Sequence, residues 1–384
     1  FVGKLCFFRV HQGSFDHSTS PKVGDGRKGV RLAHLYHYCG KNHEEVHTAV
    51  PGDIVAVSKI DEIGYDDVLH LDNSGWIAMD SIGLPKPMFG LAIEASAKGA
   101  EAKLGDALAK MSLEDPAFAI ERNATTKELV VRGIGELHLR AKLQLLKDRY
   151  GVEVDTRPPK VAYKETITGK AEGHHRHKKQ TGGSGQFGEV YLRIEPVEET
   201  SEGLVNGLEF VDDTFGGSVP KQYLPAIEKG VRRVMSEGAI AGYPMQNIKV
   251  AVYDGKHHPV DSKEIAFMTA GRRAFVEAVQ KAAPVLLEPF VKLEITIPSS
   301  YIGDISSDLS GRRGRIQGTD MLPGDQAVVS AEAPLSEVMS YANQLKSMTG
   351  GSGSYVMEYS HDENTPPNVQ AAVVAAFKPQ DDED

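Results

Sequence analysis

Cysteine is nearly absent from this sequence, since Cys6 and Cys39 are the only two in 384 residues. Two cysteines are too few for a disulfide framework, which excludes the class of small secreted scaffolds held together by disulfides. We expect both to be free thiols. Their scarcity indicates a reducing compartment, and we take the protein to be cytoplasmic.

Long hydrophobic runs are also missing. No apolar stretch approaches the roughly 20 residues that a membrane-spanning helix needs, and no charged-then-apolar leader is present. A membrane partner is therefore not expected. The sequence starts at Phe1, inside a strand-like run and without an initiator Met, so we expect it to be a fragment of a longer protein.

Charge of one sign does not dominate, because 43 basic residues face 53 acidic ones for a formal net charge of −10. This balance argues against a uniformly basic nucleic-acid coat, and any RNA contact must be local. The 40% hydrophobic content supplies apolar material for about two to four domains with their own cores.

Two stretches, about 88–155 and 289–359, both show the pattern strand, helix, strand, strand, helix, strand. In the second, Val291, Leu293 and Ile295 alternate with polar residues, as a strand with one buried face requires. Its later helix is indicated by apolar residues spaced about 3.6 apart between Leu335 and Leu345. Each stretch therefore predicts a ferredoxin-like sandwich.

The other regions differ in pattern. Residues 1–84 show short strands and turn signals, which favour a small β-barrel. Residues 161–286 mix strands with two helices, one from near Pro220 to Glu237 and one from Asp261 to about Ala282.

Asp261 or Ser262 is the expected N-cap of the second of these helices. A last helix is predicted near 366–377, and the acidic tail after it is expected to be frayed.

The first candidate site is the segment 174–190, HHRHKKQTGGSGQFGEV. Cations neutralise phosphates and glycines let a backbone approach RNA closely, so the segment suggests an RNA-facing loop, with a plain flexible hairpin as the alternative. A nucleotide P-loop is excluded because no Gly-Lys-Ser/Thr triplet follows. A metal site using His174, His175 and His177 has a poor ligand set, so no metal is expected.

The second candidate is VYDGKHHPVDS, residues 252–262. We expect Asp254-Gly255 to form a tight turn, with Pro259 stiffening the chain and His257 and His258 at the bend. An exposed turn with solvated histidines is the alternative.

The third candidate is DLSGRRGRIQG, residues 308–318, with Arg312, Arg313 and Arg315 at the end of a helix. Guanidiniums there can complement the helix dipole or bind RNA backbone, and we favour RNA. No Ser-His-Asp or Cys-His arrangement is evident, so no catalytic residue is expected.

Several motifs resemble elongation factor G in order and spacing, over Phe1 to about Phe377. They are FVGKLCFFRVHQG, SLEDPAFAIERN, VVRGIGELHL, YKETI, HKKQTGGSGQFGEV, VYDGKHHPVDS, PVLLEPFVKLEITIP and DISSDLSGRRGRIQG. The chain resembles the carboxyl-terminal portion of such a translational GTPase, without its GTPase domain.

The resemblance implies a multidomain α+β fold. Its parts are a partial β-barrel second domain at 1–84, a ferredoxin-like third domain at 85–160, a fourth at 161–285, a ferredoxin-like fifth at 286–363 and an acidic tail at 379–384. The fourth is a βαβ domain of ribosomal-protein-like type with a left-handed crossover, on which the helix at 364–378 packs.

The resemblance also implies roles for the loops. Two loops would form the tip of the fourth domain, which contacts the tRNA–mRNA duplex in the small-subunit decoding region during translocation. The tip residues are Lys178, Lys179, Gln180, Gly182, Gly183, Gly185, Gln186, Asp254, Gly255, His257, His258 and Asp261. Arg312, Arg313 and Arg315 would face large-subunit RNA near the factor-binding centre.

The implied partners are the ribosome, tRNA–mRNA and the missing GTPase domain, with the protein itself a monomer. No cofactor is expected in this chain; GTP and Mg²⁺ would bind only in the missing domain, and the fragment would not be an enzyme. The histidine-rich approach and His257 also resemble elongation factor G-like paralogues, so a ribosome-recycling role is the alternative. A plain RNA-binding module and, less favoured, a metal-dependent enzyme are further alternatives.

Overall fold

The computed structural model describes residues 3–71, 76–180, 185–201 and 203–377. The chain is a multidomain mixed α+β protein with two compact units. The first unit comprises 1–87, 95–120 and 141–153, and the second comprises 88–94, 121–140 and 154–384. In the described ranges, every helix is too short or too polar to span a membrane.

The strands and helices that the structure describes are numbered separately in chain order. The strands are β1 (Leu5–Arg9), β2 (Phe15–Asp16), β3 (Lys22–Val23), β4 (Leu35–Cys39), β5 (Asn42–Val46), β6 (Thr48–Ala49), β7 (Ile54–Ser58), β8 (Leu69–His70), β9 (Phe89–Ala95), β10 (Ala119–Arg122), β11 (Leu129–Gly133), β12 (Val154–Arg157), β13 (Lys164–Ile167), β14 (Ala171–Lys179), β15 (Gln186–Pro196), β16 (Leu208–Asp212), β17 (Ile248–Lys256), β18 (Pro284–Pro298), β19 (Arg315–Leu322), β20 (Gln326–Pro334) and β21 (Ser354–Asn364). The helices are α1 (Glu101–Glu114), α2 (Glu136–Tyr150), α3 (Leu224–Glu237), α4 (Glu264–Lys281), α5 (Ile302–Gly311), α6 (Leu335–Val338), α7 (Tyr341–Met348) and α8 (Pro367–Ala376).

The amino-terminal region is built from strands. Its main sheet has the strand order β1-β7-β4-β5. Two further sheets have two strands each, β2 with β6 and β3 with β8. The core includes Leu32, Leu35 and Val55, each 0–1% exposed. Cys6 and Cys39 are free thiols, as expected from the sequence.

Two sheets share one strand order. The order β10-β11-β9-β12 in the first matches β19-β20-β18-β21 in the second, where β13 adds a fifth strand beside β18. The predicted alternation in β18 is confirmed, because Leu293, Ile295 and Ile297 are buried. The expected single helix over 335–345 is wrong: it is two short helices, α6 and α7, interrupted at Met339 and Ser340.

The region 161–286 has a four-stranded sheet of order β14-β15-β17-β16, in which β16 and β17 run parallel. Helices α3 and α4 pack on each other, and α4 packs on β14 and β15. The apolar stripe of α3 is buried, including Ile227, Val231 and Val234, because such a stripe at helical spacing must face a core. The expected end of this helix at Glu237 is confirmed, and Gly238 follows it as the cap residue at φ 82°.

Backbone-to-backbone packing places α4 on the sheet. An added Cβ at Gly173 of β14 would lie 2.0 Å from the carbonyl oxygen of Ala274, and one at Gly188 would lie 3.1 Å from the Ala266 carbonyl carbon. A Cβ at Gly230 of α3 would lie 2.2 Å from the Met268 carbonyl oxygen. Only residues without a Cβ allow helix and sheet to approach this closely.

A buried carboxylate organises the turn after α3. Glu165 of β13 is 0% exposed. Its carboxylate oxygens accept hydrogen bonds from the backbone N–H groups of four residues of that turn. The donors are Ala239 at 2.6 Å, Ile240 at 3.0 Å, Ala241 at 2.8 Å and Tyr243 at 3.1 Å. These charge-assisted bonds satisfy backbone N–H donors of the turn, which no strand or helix pairs.

The predicted N-cap of α4 is wrong. The cap residue is Lys263, with extended backbone and no side-chain cap hydrogen bond, and the helix begins at Glu264 rather than Asp261. Ser262 is not available as a cap because its hydroxyl bonds to neighbouring backbone instead. The last helix matches its prediction closely and runs from Pro367 to Ala376.

We predict that Gly173→Ala lowers the free energy of unfolding by about 3 kcal/mol, since overpacking against a backbone carbonyl forces the helix away from the sheet. The matched control is Gly303→Ala in α5, where an added Cβ meets nothing within 4 Å. Urea unfolding monitored by circular dichroism measures both. Equal midpoints for the two variants would show that the close approach does not constrain the fold.

Candidate nucleic-acid interface

The first predicted loop is mostly strand. The basic run from His174 to Lys179 lies in β14, which pairs with β15 down to Lys179 opposite Gln186. The expectation of a loop over the whole of 174–190 is therefore corrected, since strand covers 174–179 and 186–190. Gly182 and Gly183 of that expectation lie outside the described residues.

The second predicted segment also changes. Asp254 and Gly255 belong to β17 and pair with Tyr191 and Val190, so they do not form the expected turn. Gly255 is buried, and a Cβ there would lie 2.5 Å from the Glu189 carbonyl oxygen. Its lack of a side chain serves close strand packing, and the bend itself begins at His257.

The two segments are joined by backbone and hydroxyl hydrogen bonds. The Phe187 N–H donates to the Asp261 carbonyl oxygen at 2.9 Å, and the Ser262 hydroxyl donates to the Phe187 carbonyl oxygen at 3.0 Å. The Tyr223 hydroxyl donates to the Ser262 carbonyl oxygen at 3.2 Å. The start of β15 and the approach to α4 are thereby held side by side.

The loop 257–262 is closed by its own polar groups. The His258 N–H donates to the Ser262 hydroxyl oxygen at 2.8 Å, and the Ser262 N–H donates to the His258 carbonyl oxygen at 3.2 Å. The N–H groups of Val260 and Asp261 lie 3.3 Å and 3.1 Å from His258 Nδ1. These four bonds make an exposed bend with few free backbone donors.

Position 185 has room only for a glycine, because the side chain of Asp261 from the second segment lies against it. A Cβ at this position would lie 2.7 Å from Asp261 Oδ1 and 2.8 Å from its Cγ. The Asp261 carboxylate therefore occupies the space beside Gly185, so these two predicted site residues are brought together.

Cationic side chains follow the end of β14. The Arg176 guanidinium carbon lies 5.2 Å from the centre of the Phe187 ring, a cation–π distance. His177 Nε2 lies 3.0 Å from Gln186 Oε1. Lys178, Lys179 and Gln180 are exposed, and within the described ranges neither lysine has an ion-pair partner.

The histidines of β14 do not converge. His174 lies 2.9 Å from Glu189 Oε1 and stacks on Tyr191, whereas His175 points to the opposite face of the strand. Burial, followed by the positive charge of Arg273, lowers the pKa of His175. Over the residues that the structure describes, no group of three or more His, Cys, Asp or Glu is arranged to hold a metal.

The arginine cluster is engaged within the protein. Arg312 donates to Asp308 at 2.9 Å and to the Glu337 carbonyl oxygen at 2.9 Å. Arg313, at φ 58°, donates to both oxygens of buried Glu288 at 2.6 Å and 3.0 Å. These bonds raise the pKa of Arg313, with Glu288 the main cause.

Arg315 differs from the other two in position and exposure. It lies in β19 rather than at the end of α5 and pairs with both carboxylate oxygens of Glu363 at 2.7 Å and 2.6 Å. Its side chain is 60% exposed. Arg312 and Arg313 are therefore held by internal partners, and Arg315 is the most exposed of the three.

Sequence reasoning missed two residues that join the interface. Ser262 was considered only as a helix cap, and Phe187 was not singled out, because their bond crosses 75 positions and leaves no local pattern. Phe215, in the connection after β16, was also missed and is 92% exposed. The same connection reaches Val219, which lies beside Gly255 of β17.

We predict that Ser262→Ala loosens the interface while leaving the fold intact. The change removes the acceptor of the His258 N–H and the donor to Phe187, which costs about 1–3 kcal/mol for this region. Hydrogen exchange should become faster at residues 257–261 and at Phe187. The control is Ser310→Ala, whose exposed hydroxyl bonds only within α5; equal exchange at 257–261 in wild type and Ser262→Ala contradicts the assignment.

We predict that His175 contributes stability above its ordinary pKa of 6.5. Because its pKa is lowered on folding, the unfolded chain takes up the proton first, so this stability is lost as pH falls through the folded pKa. The fall in unfolding free energy between about pH 7.5 and 5.5 should be smaller in His175→Gln than in wild type. Exposed His257→Gln is the control, and identical pH profiles for wild type and His175→Gln would exclude the effect.

Comparison with known families covers most of the chain. Residues 1–71 match the model described as Elongation factor G domain 2, and 84–158 match Elongation Factor G, domain III. Residues 159–283 match Elongation factor G, domain IV, and 285–373 match Elongation factor G C-terminus.

A crystal structure of a protein from Thermus thermophilus is similar over 97% of this chain, with 39% sequence identity and a TM-score of 0.78. The chain spans 55% of the length of that protein. Four consecutive family matches in the order of the family's domains, together with this likeness, show that the chain belongs to the elongation factor G family.

Proposed function

We propose that this chain is the ribosome-binding part of an elongation factor G-type GTPase that promotes tRNA–mRNA translocation. We call residues 178–180, 185–187 and 257–262 the tip, and propose that it contacts RNA in the small-subunit decoding region. The observation that carries the proposal is the pair of hydrogen bonds joining Phe187 to Asp261 and Ser262, which unites the two segments into one surface.

The charge at the tip suits an RNA backbone. Lys178 and Lys179 are exposed, and beside them Gln180 adds an exposed amide. Such side chains bind phosphate and sugar oxygens and fix orientation without reading sequence. A factor that acts on every codon needs this sequence-independent contact, and the acidic remainder of the chain keeps the contact local.

The rigidity of the tip suits holding a duplex in register. His258, Asp261 and Gly185 are fixed by short contacts, and α4 continues directly from the loop. A surface supported by a helix and a sheet holds its side chains more precisely than a free loop does. We propose that Asp254 borders this surface, that His257 belongs to it, and that the glycines Gly182 and Gly183 let RNA approach.

The finer architecture follows the family. We propose a partial β-barrel at 1–84, ferredoxin-like sandwiches at 85–160 and 286–363, and a ribosomal-protein-like domain with a left-handed crossover at 161–285. The shared strand order of the two sheets supports the sandwiches. In the fifth domain, Arg315 is the proposed contact to large-subunit RNA, with Arg312 and Arg313 shaping the segment.

The chemistry of GTP hydrolysis is assigned to a GTPase domain outside these residues, where GTP and Mg²⁺ would bind. The four matched domains contribute docking and positioning, and we propose that the protein acts as a cytoplasmic monomer on the ribosome.

A recycling paralogue is the second candidate, favoured by the histidines at 174, 175, 177 and 257. A polypeptide synthesis assay and a subunit-splitting assay with recycling factor separate the two. A recycler splits subunits and fails to support synthesis.

We predict that replacing both Lys178 and Lys179 with Ala in the full-length factor slows translocation about tenfold or more, because losing charged hydrogen bonds costs about 1.5–3 kcal/mol each. Ribosome binding and GTP hydrolysis should stay within about twofold, since the GTPase contacts are elsewhere. The control is Lys281→Ala, an exposed lysine at the far end of α4. An unchanged rate of single-round translocation in the double variant would show that these lysines of the tip do not take part in translocation.

A further inference from the structure

We propose that a cavity within the second compact unit binds a small organic cation of the linear alkyl-polyamine class. The cavity has a volume of about 430 Å³, inside the range of about 300–1,000 Å³ that is usual for small-molecule sites. None of its lining residues belongs to the tip. Binding here is therefore independent of the proposed function.

Two of the matched domains contribute the walls of the cavity. Thr166 and Gln246 come from the segment matched to domain IV, and Leu287 and Asp362 come from the segment matched to the C-terminus. The Gln246 N–H donates to the Glu165 carbonyl oxygen at 3.0 Å, and the Thr166 hydroxyl donates to the Gln246 carbonyl oxygen at 2.8 Å. Since β13 also pairs with β18, backbone bonds hold the walls together before a ligand enters.

A β-bulge brings an aromatic ring and a carboxylate to the same side of β21. The pairing register between β21 and β18 shifts beside Ser360, which has no paired residue on β18. Side chains alternate along a strand, so Tyr359 and Asp362, three positions apart, would lie on opposite faces of a regular strand. The extra residue of the bulge returns them to one face, and both line the cavity.

The carboxylate of Asp362 has one oxygen left for a ligand. Its side chain is 7% exposed, and Oδ2 lies 2.7 Å from Nζ of Lys164. Oδ1 is buried and has no hydrogen-bond partner among the described residues. A buried oxygen without a donor costs free energy, so a ligand that brings an N–H group to this carboxylate is favoured.

Negative charge is in excess around the cavity. Glu199 lines it, is exposed, and forms no ion pair within the described ranges. Burial of its hydroxyl, followed by the bond to Asp362 and the charges of Asp362 and Glu199, raises the pKa of Tyr359 to about 12. Both carboxylates therefore act at this ring. Of the described residues that line the cavity, none is a lysine or an arginine.

These groups together match an ammonium group on an apolar stem. Carboxylates accept charge-assisted hydrogen bonds from ammonium, and the Tyr359 residue, 61% exposed, offers a ring for a cation–π contact. Ile167, Pro196 and Leu287 supply apolar wall for a methylene stem. A bare metal ion fits less well, because over the described residues no three acidic, histidine or cysteine groups converge.

Binding is tested by isothermal titration calorimetry of the 384-residue chain with spermidine. We expect a single site. The double variant Glu199→Gln, Tyr359→Ala should weaken the affinity about tenfold, since each lost contact accounts for about two- to fivefold. The matched control is Glu198→Gln, Tyr65→Ala, which removes one exposed carboxylate and one exposed tyrosine away from the cavity. It should stay within about twofold of wild type.

Hydrogen exchange of the wild-type chain locates the site without any variant. Spermidine should slow exchange at residues 246–247 and 359–362 and leave the tip loop 257–262 unchanged. Magnesium chloride at the same ionic strength should not reproduce this protection.

Three results would overturn the proposal. The first is equal weakening in both double variants, which would mean general attraction to an acidic chain. The second is the same protection with magnesium, which would mean a metal site, and the third is no protection at 246–247 and 359–362. None of these results bears on the role of the tip, which the translocation assay decides.

Discussion

Close backbone packing between α4 and the hairpin of β14 and β15 is the constraint on which the tip depends. Gly173 and Gly188 let the helix lie directly on the strands, where any larger residue would strike helix backbone. Since α4 begins two residues after Ser262, its placement on the sheet brings Ser262 to Phe187. The exposed tip is therefore positioned by buried packing of uncharged residues.

Two arginines of the fifth domain are paired with carboxylates inside the protein, whereas, among the residues that the structure describes, the lysines at the tip are not, so an acidic chain can still present basic side chains locally. Arg313 binds buried Glu288 with two hydrogen bonds, and Arg315 binds Glu363 in the same way. Bidentate pairs of this kind orient side chains strongly. Lys178 and Lys179 lie exposed at the end of β14, where their charges point to solvent. The local position of a charged side chain therefore decides what it can bind more than the net charge of the chain does.

Periodic patterns allowed much of the fold to be predicted. The alternation in β18 is a local signal that burial confirms, and the two helices expected within 161–286 are present as α3 and α4. Strand β14 was taken as a loop because it lacks apolar alternation. Gly173 and His175 face α4, and the opposite face carries Glu172, His174 and Arg176, so no period-two pattern is visible.

The sequence allowed the residues of the candidate site to be named, but it did not allow their contacts with one another to be predicted. The two loops were identified from their resemblance to the family, but the bonds that join them connect positions about 75 residues apart and leave no local signal. The internal partners of Arg313 and Arg315 were not visible in the sequence for the same reason, because Glu288 and Glu363 lie 25 and 48 positions away from them. Short-range spacing reports secondary structure, whereas ion pairs depend on how sheets and helices assemble.

The central claim is that the tip faces small-subunit RNA in the decoding region. A cleavage reagent tethered to Val260→Cys, in full-length factor with Cys6 and Cys39 replaced by Ser, reports this directly because the Val260 side chain is 80% exposed. On ribosomes carrying the factor, we predict RNA cleavage confined to the decoding region, absent when the reagent is tethered at position 281. Cleavage elsewhere, or the same pattern from both positions, would contradict the account.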